Sequence, residues 1–196
     1  ASDVYKRQDQ ANGVLPAGSI VHGPCCVTRS KSNWAIDILP MLEQQSLHDR
    51  YDFTKFNEDP ENAFVREAAV AVYCCPTDID TLALDVPESG AVPVPQRPRY
   101  RRGSYRASTG LGDGDSDSWV EAHRPDGQYR RPARTRGAIH NIGYTWYGQV
   151  PVAAIRDGTS STLLVGEHAT VTNRQRRSFW AYSFAAYNKS EVTPES

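Results

Sequence analysis

Asp113, Asp115, Asp117 and Glu121 are the residues of this chain best spaced for chemistry. Acids at alternate positions, with another a few residues on, can wrap carboxylate oxygens round a hard cation such as Ca2+. The run Asp113-Gly114-Asp115-Ser116-Asp117-Ser118-Trp119-Val120-Glu121 lacks the central glycine and the length of an EF-hand loop. It stands as a candidate calcium loop against the plainer reading of a solvated acidic loop. Arg97, Arg99, Arg101, Arg102 and Arg106, interleaved with Tyr100 and Tyr105, form a basic-aromatic cluster, and Arg130, Arg131, Arg134 and Arg136 form another. Such clusters can grip phosphates and stack bases, or pair with acidic loops and neighbouring subunits. His22, His48, His123, His140 and His168 have no metal-ligand spacing. Asp157 and Glu167 invite comparison with a paired acid and base. However, Gly158-Thr159-Ser160-Ser161-Thr162 is not a G-x-S-x-G nucleophile elbow, and no histidine is placed to serve it.

The composition narrows the classes further. The chain has 196 residues, enough for one domain with long insertions. A chain of this length buries about 70% of its unfolded surface and needs neither metal nor disulfide merely to fold. With 22 basic and 23 acidic residues the net charge is −1, which supplies no global field toward nucleic acid or an anionic membrane. No apolar run is long enough to span a bilayer. The cysteines come as Cys25-Cys26 and Cys74-Cys75. A bond between sequence neighbours is strained, so a bridge would cross the pairs. Buried free thiols are the alternative, and adjacent cysteines fit poorly with zinc spacing. Residues 1–8, Ala1-Ser2-Asp3-Val4-Tyr5-Lys6-Arg7-Gln8, resemble translated sequencing-adapter read-through, so the expected native chain begins upstream of about Asp9.

The elements that would position these residues follow from pattern. Asn33 and Ser32 are N-cap candidates, and Trp34, Ile38, Met41 and Leu42 lie on one helical face, predicting a helix over 33–49 that kinks or restarts at Pro40. Asp59-Pro60-Glu61 predicts a second helix running to about Ala69. Val70 to Tyr73 reads as a strand stopped by Cys75-Pro76. Four prolines make 85–102 a loop, Gly103 to Ser108 returns to a strand, and 110–136 is a long polar insertion. Ala138-Ile139 and Tyr144 to Val150 read as short strands. Asp157-Gly158 is a turn that Thr159, Ser160 and Ser161 can bond locally. It launches Thr162 to Val165 as a buried strand, closed by Gly166. Phe179, Trp180, Tyr182, Phe184 and Tyr187 crowd one segment whose two faces are both expected inside. The domain would span 9–188, with 189–196 a frayed tail.

In order, these motifs are Trp34…Ile38-Leu39-Pro40-Met41-Leu42-Glu43-Gln44, Tyr51-Asp52-Phe53, Cys75-Pro76-Thr77-Asp78, Ser104-Tyr105…Gly110 and Asp157-Gly158-Thr159-Ser160-Ser161-Thr162…Gly166-Glu167. Together they resemble a large bacterial family of pilin-like proteins that carry a prepilin-type N-terminal signal and a domain of unknown function. Family patterns read approximately "ILPYLEQ", "CPSD", "SY…G" and "DGTSNTLLVGE". This chain departs from them with Thr77 for Ser and Ser161 for Asn, both small and polar.

The resemblance implies an α+β pilin-like head, with helices packed on an antiparallel β-sheet and long loop insertions. It implies a non-enzymatic, extracellular or cell-surface subunit of a type IV pilin-like or type II secretion pseudopilin-like filament. Partners would be copies of itself or other pilin-like subunits. Before assembly an N-terminal hydrophobic helix, absent from this sequence, would hold the chain in the inner membrane. Some pseudopilins of related fold bind a loop calcium, which gives the acidic run its interest. The alternative class is an extracellular module binding a solute or glycan, which predicts an aromatic-lined concave pocket.

Overall fold

A computed structural model of the chain describes residues 13–23, 27–112, 135–143, 147–168, 177–184 and 187–192. The acidic run with Asp113, Asp115, Asp117 and Glu121, together with residues 1–8, Cys25 and Cys26, lies outside the described residues.

The first two strands, β1 (Ser19–Val21) and β2 (Ser30–Asn33), pair antiparallel, with Ser19 opposite Asn33 and Val21 opposite Ser30. Helix α1 (Trp34–Asp37) leaves β2 directly because Asn33, in extended backbone, accepts from the N–H groups of Ala35 and Ile36. This is the N-cap the sequence indicates. A 3-10 turn, Leu39–Leu42, follows with Pro40 in its first positions, and Glu43 ends it in the left-handed region at φ 61°. Helix α2 (Gln45–His48) then restarts. The expected helix over 33–49 is therefore broken into three single turns, as the proline allows.

The break moves the buried face. Ala35, Ile36 and Leu39 join Trp34 in the core, whereas Ile38 and Leu42 are only partly buried. The stripe of Trp34, Ile38, Met41 and Leu42 assumes one continuous helical phase, and each break resets that phase.

Asp59 precedes a 3-10 turn, Pro60–Asn62, which runs into α3 (Ala63–Arg66). Asp59 Oδ2 accepts from the N–H of Phe56 and makes no cap bond to the helix that follows. That helix ends three residues before the expected Ala69. Val70 to Tyr73 does not form a strand, because Ala71–Tyr73 is a 3-10 turn with Tyr73 turned inward. Strands β3 (Leu84–Asp85) and β4 (Tyr100–Arg101) pair antiparallel at the two ends of the proline-rich loop.

The longest described strand, β5 (Tyr105–Leu111), is central to a second three-stranded sheet. Strand β6 (Asn141–Ile142) adds to β1 in parallel, a few residues beyond the expected Ala138-Ile139. On one side of β5, β7 (Val165–Glu167) runs antiparallel, with Tyr105 opposite Glu167 and Ala107 opposite Val165. On the other side β8 (Lys189–Val192) runs parallel, with Ala107 opposite Lys189. Residues 189–192 are thus a paired strand and not a frayed end, and Lys189 is buried.

The fold class is α+β: few short helices with several sheets containing antiparallel pairs. Each three-stranded sheet also contains a parallel pair. The core is aromatic. Trp34, Tyr73, Tyr100, Phe179, Trp180, Tyr182, Phe184 and Tyr187 are all buried, so the 179–187 segment does hide both faces. Tyr182 stacks on Phe184 with centroids 5.6 Å apart, and Tyr73 stacks on Trp180 at 5.3 Å.

Candidate functional site

Ser104 is the point where the patterned stretches meet. It lies between β4 and β5 and is fully buried. Its Oγ accepts from the Cys75 N–H at 2.9 Å and donates to Asp78 Oδ2 at 2.9 Å. Its backbone N–H donates to Tyr73 O at 2.8 Å, and its carbonyl accepts from the His168 N–H at 2.8 Å. One serine therefore ties the Cys75-Pro76-Thr77-Asp78 turn to β5 and to the residue that follows β7. A buried backbone donor such as Cys75 N–H requires a partner, and Ser104 supplies it.

Tyr73 carries the connection to the first motif. Its hydroxyl donates to Ala35 O at 2.6 Å, and its ring meets Trp34 edge-on with centroids 6.0 Å apart. Trp34 Nε1 in turn donates to Asn188 O at 3.0 Å, just before β8. Hence Trp34, Cys75, Asp78 and Ser104, with Glu167 opposite Tyr105, belong to one continuous polar and aromatic frame.

Other motif residues stand apart from it. Pro40 sits in the 3-10 turn after α1, and Glu43 is exposed. Pro76 is exposed beside the buried Cys75. Asp157, Gly158, Thr159 and Ser160 are all exposed. The turn is real: Gly158 has φ 84°, its carbonyl accepts from the Ser161 N–H at 3.1 Å, and Thr162 Oγ1 donates to the same oxygen at 3.0 Å. The strand it launches is not a core strand. It starts at Val165, Leu163 is 58% exposed, and Gly166 lies within β7 instead of closing it. The apolar run Leu163-Leu164-Val165 reads as buried because one-dimensional pattern does not distinguish a core strand from the partly covered edge of a sheet.

Beside the frame, two buried arginines face two half-exposed acids. Arg177 Nη1 lies 3.1 Å from Asp80 Oδ2, which Arg102 Nη1 approaches at 3.9 Å. Arg102 Nη2 also pairs with Asp85 Oδ2. Asp80 holds φ 64°. Arg102 belongs to the predicted basic cluster, but its charge is spent on carboxylates of its own chain. Arg101 likewise donates to Glu67 O and Leu82 O, and Arg97 to Val92 O and Pro87 O.

The titratable groups near the frame are shaped mainly by burial. Burial and the neighbouring Arg106 hold the His168 imidazole below its usual range. Burial pushes the Cys74 thiol up, and Cys74 and Cys75 are free thiols. The serine that meets Asp78 donates to the carboxylate itself and lies wholly inside, so its oxygen is committed to holding the turn. Among the described residues no group of three or more His, Cys, Asp or Glu is gathered to hold a metal ion, and no helix is long and apolar enough to cross a membrane.

Sequence reasoning missed Asn57, Asn62 and Lys189 as structural centres, and it indicated Asn33 as a cap but not as the donor to Trp180 O. Asn57 Nδ2 donates to Ala181 O at 2.8 Å, and Asn62 Nδ2 donates to Phe56 O at 3.0 Å. Lys189 Nζ donates to Ser19 Oγ and, at 3.1 Å, to Ser183 O. The only available signal was residue type: each is polar next to an apolar or aromatic segment.

The chain belongs to the family described as "Protein of unknown function (DUF1559)", labelled SBP_bac_10, whose model matches residues 8–194. No curated protein matches the chain, and no solved structure matches it.

Proposed function

We propose that the chain is a non-enzymatic, extracellular structural subunit of a pilin-like filament. The observation that carries this reading is the use of the motif residues. Trp34, Cys75, Asp78 and Ser104 are spent on joining segments far apart in sequence, and Ser104 is sealed from substrate. The family match over 8–194 and the order of the pilin-like motifs support the same reading. Large apolar side chains on one short stretch, Val72, Ile79 and Leu82, are each more than half exposed, which suits a face covered by a neighbouring subunit. The partners are copies of this chain or related subunits.

Electron microscopy of sheared surface fractions, with gold-labelled antibody to this chain, tests the proposal. Regular filaments labelled along their length are expected. Dispersed, unassembled chain that co-purifies with a solute or glycan would replace this reading with that of an extracellular binding module.

A further inference from the structure

Among the described residues, Asp157 is the only aspartate followed by glycine. The others precede arginine, proline, phenylalanine or a β-branched residue, which crowds the intervening amide. Several are also held in place: Asp52 by Thr54, Asp78 by Ser104, Asp80 by Arg177 and Asp85 by Arg102. Asp113-Gly114 and Asp126-Gly127 lie outside the described residues.

The turn leaves the reacting groups of Asp157-Gly158 unencumbered. Arg156 to Ser161 are all exposed. Within the described residues neither the Asp157 carboxylate nor the Gly158 N–H makes a hydrogen bond, because the turn is closed through the Gly158 carbonyl, which accepts from the Ser161 N–H at 3.1 Å and Thr162 Oγ1 at 3.0 Å. A Cβ added at Gly158 would meet nothing within 4 Å, so the amide between the two residues is open to water.

We propose that Asp157 is a modification site, at which the chain converts spontaneously to an isoaspartyl linkage. The Gly158 nitrogen attacks Asp157 Cγ and closes a succinimide ring. The N–H hydrogen and the carboxyl hydroxyl leave together as water. Solvent water then adds to one ring carbonyl and breaks its bond to nitrogen. Addition at the former main-chain carbonyl leaves the chain running through Cβ and Cγ, whereas addition at Cγ restores aspartate. One water is lost and one regained, and nothing is oxidised or reduced. The reacting atoms are covalent neighbours, so their proximity is built in and the fold contributes only by leaving the approach unhindered. Glycine places no Cβ beside the attacking nitrogen.

The fold also accommodates the product. The linkage adds one backbone atom between Ile155, whose N–H donates to Val152 O at 3.1 Å, and the turn closed on the Gly158 carbonyl. Arg156 and Asp157, the residues in that interval, are exposed, so no buried group has to move.

Holding the full chain at neutral pH in water enriched in heavy oxygen, followed by peptide mass spectrometry, tests the site. Cleavage after Arg156 and Arg174 releases a peptide in which Asp157 is the only aspartate. Each passage through the succinimide writes one solvent oxygen into it. The expected result is label uptake at Asp157 several-fold faster than at Asp52, Asp78, Asp80 or Asp85, with electron-transfer fragmentation locating the isoaspartyl bond. Gly158→Ala should slow the uptake several-fold, and Asp157→Glu, which enlarges the ring that must close, should abolish it. Uptake at Asp157 no faster than at the held aspartates overturns the proposal, as does uptake that persists at position 157 in Asp157→Glu.

Discussion

Replacing Asp37 by asparagine should change how the stability of this protein depends on pH. Asp37 is the last residue of α1 and lies against the tyrosine-lined interior, where its charge bears on Tyr51 and Tyr73. Burial lifts its carboxyl from 3.8 to about 7, and an interaction with the Ser32 side chain offsets only part of that rise. A carboxyl whose folded pKa exceeds its unfolded one binds protons more tightly in the native state. Its protonated form then favours folding below pH 3.8, and that contribution is lost as the pH climbs through about 7. At 1.36 kcal/mol for each tenfold change in proton affinity, the ceiling is about 4 kcal/mol lost across this window. Urea unfolding from pH 4 to 8, followed by the fluorescence of buried Trp34 and Trp180, measures the slope. Wild-type stability should fall with rising pH relative to Asp37→Asn, by about 2–4 kcal/mol over the window. Parallel curves for the two proteins would refute the argument that the fold desolvates this carboxyl.

Two further outcomes follow from the geometry. Asn33→Ala removes the α1 cap and the bond from Asn33 Nδ2 to Trp180 O at 3.2 Å, so unfolding by urea should show a loss of about 2–3 kcal/mol. In the 157–166 segment, Gly158→Ala should cost about 1 kcal/mol in thermal unfolding because φ is 84°, whereas Asp157→Ala and Gly166→Ala should stay within about 0.5 kcal/mol. A Cβ at Gly166 meets nothing within 4 Å.

The parts of this architecture visible in sequence were those set by local chemistry. Asn33 before Trp34, the break at Pro40 and the positive φ of Gly158 each depend on a residue and its immediate neighbours. The aromatic density of 179–187 also reported its own burial, because no arrangement of alternating large rings could leave one face to solvent cheaply. What pattern alone did not reveal was long-range. Val70 to Tyr73 has strand-like residues, yet the chain turns there so that the Tyr73 hydroxyl can reach Ala35 O. Lys189 begins a polar terminus, yet its ammonium finds Ser19 and Ser183, over a hundred positions away in the first case, and its backbone finds β5. The 157–167 stretch was the most patterned in the sequence, but its pattern encodes an exposed turn and an edge strand, while the junction falls on Ser104. Of the candidate site, Ser104, Cys75 and Asp78 were named as motif residues, but only the fold brings them into contact.

A double-mutant cycle between Ser104 and Asp78 tests that junction most directly. Ser104→Ala leaves the Cys75 N–H buried without its partner and should cost about 2–4 kcal/mol; Asp78→Ala alone removes the acceptor. If the motif residues form one frame, the two changes should be non-additive, with a coupling of about 1–2 kcal/mol in urea unfolding. Costs that simply add to within about 0.5 kcal/mol would contradict it.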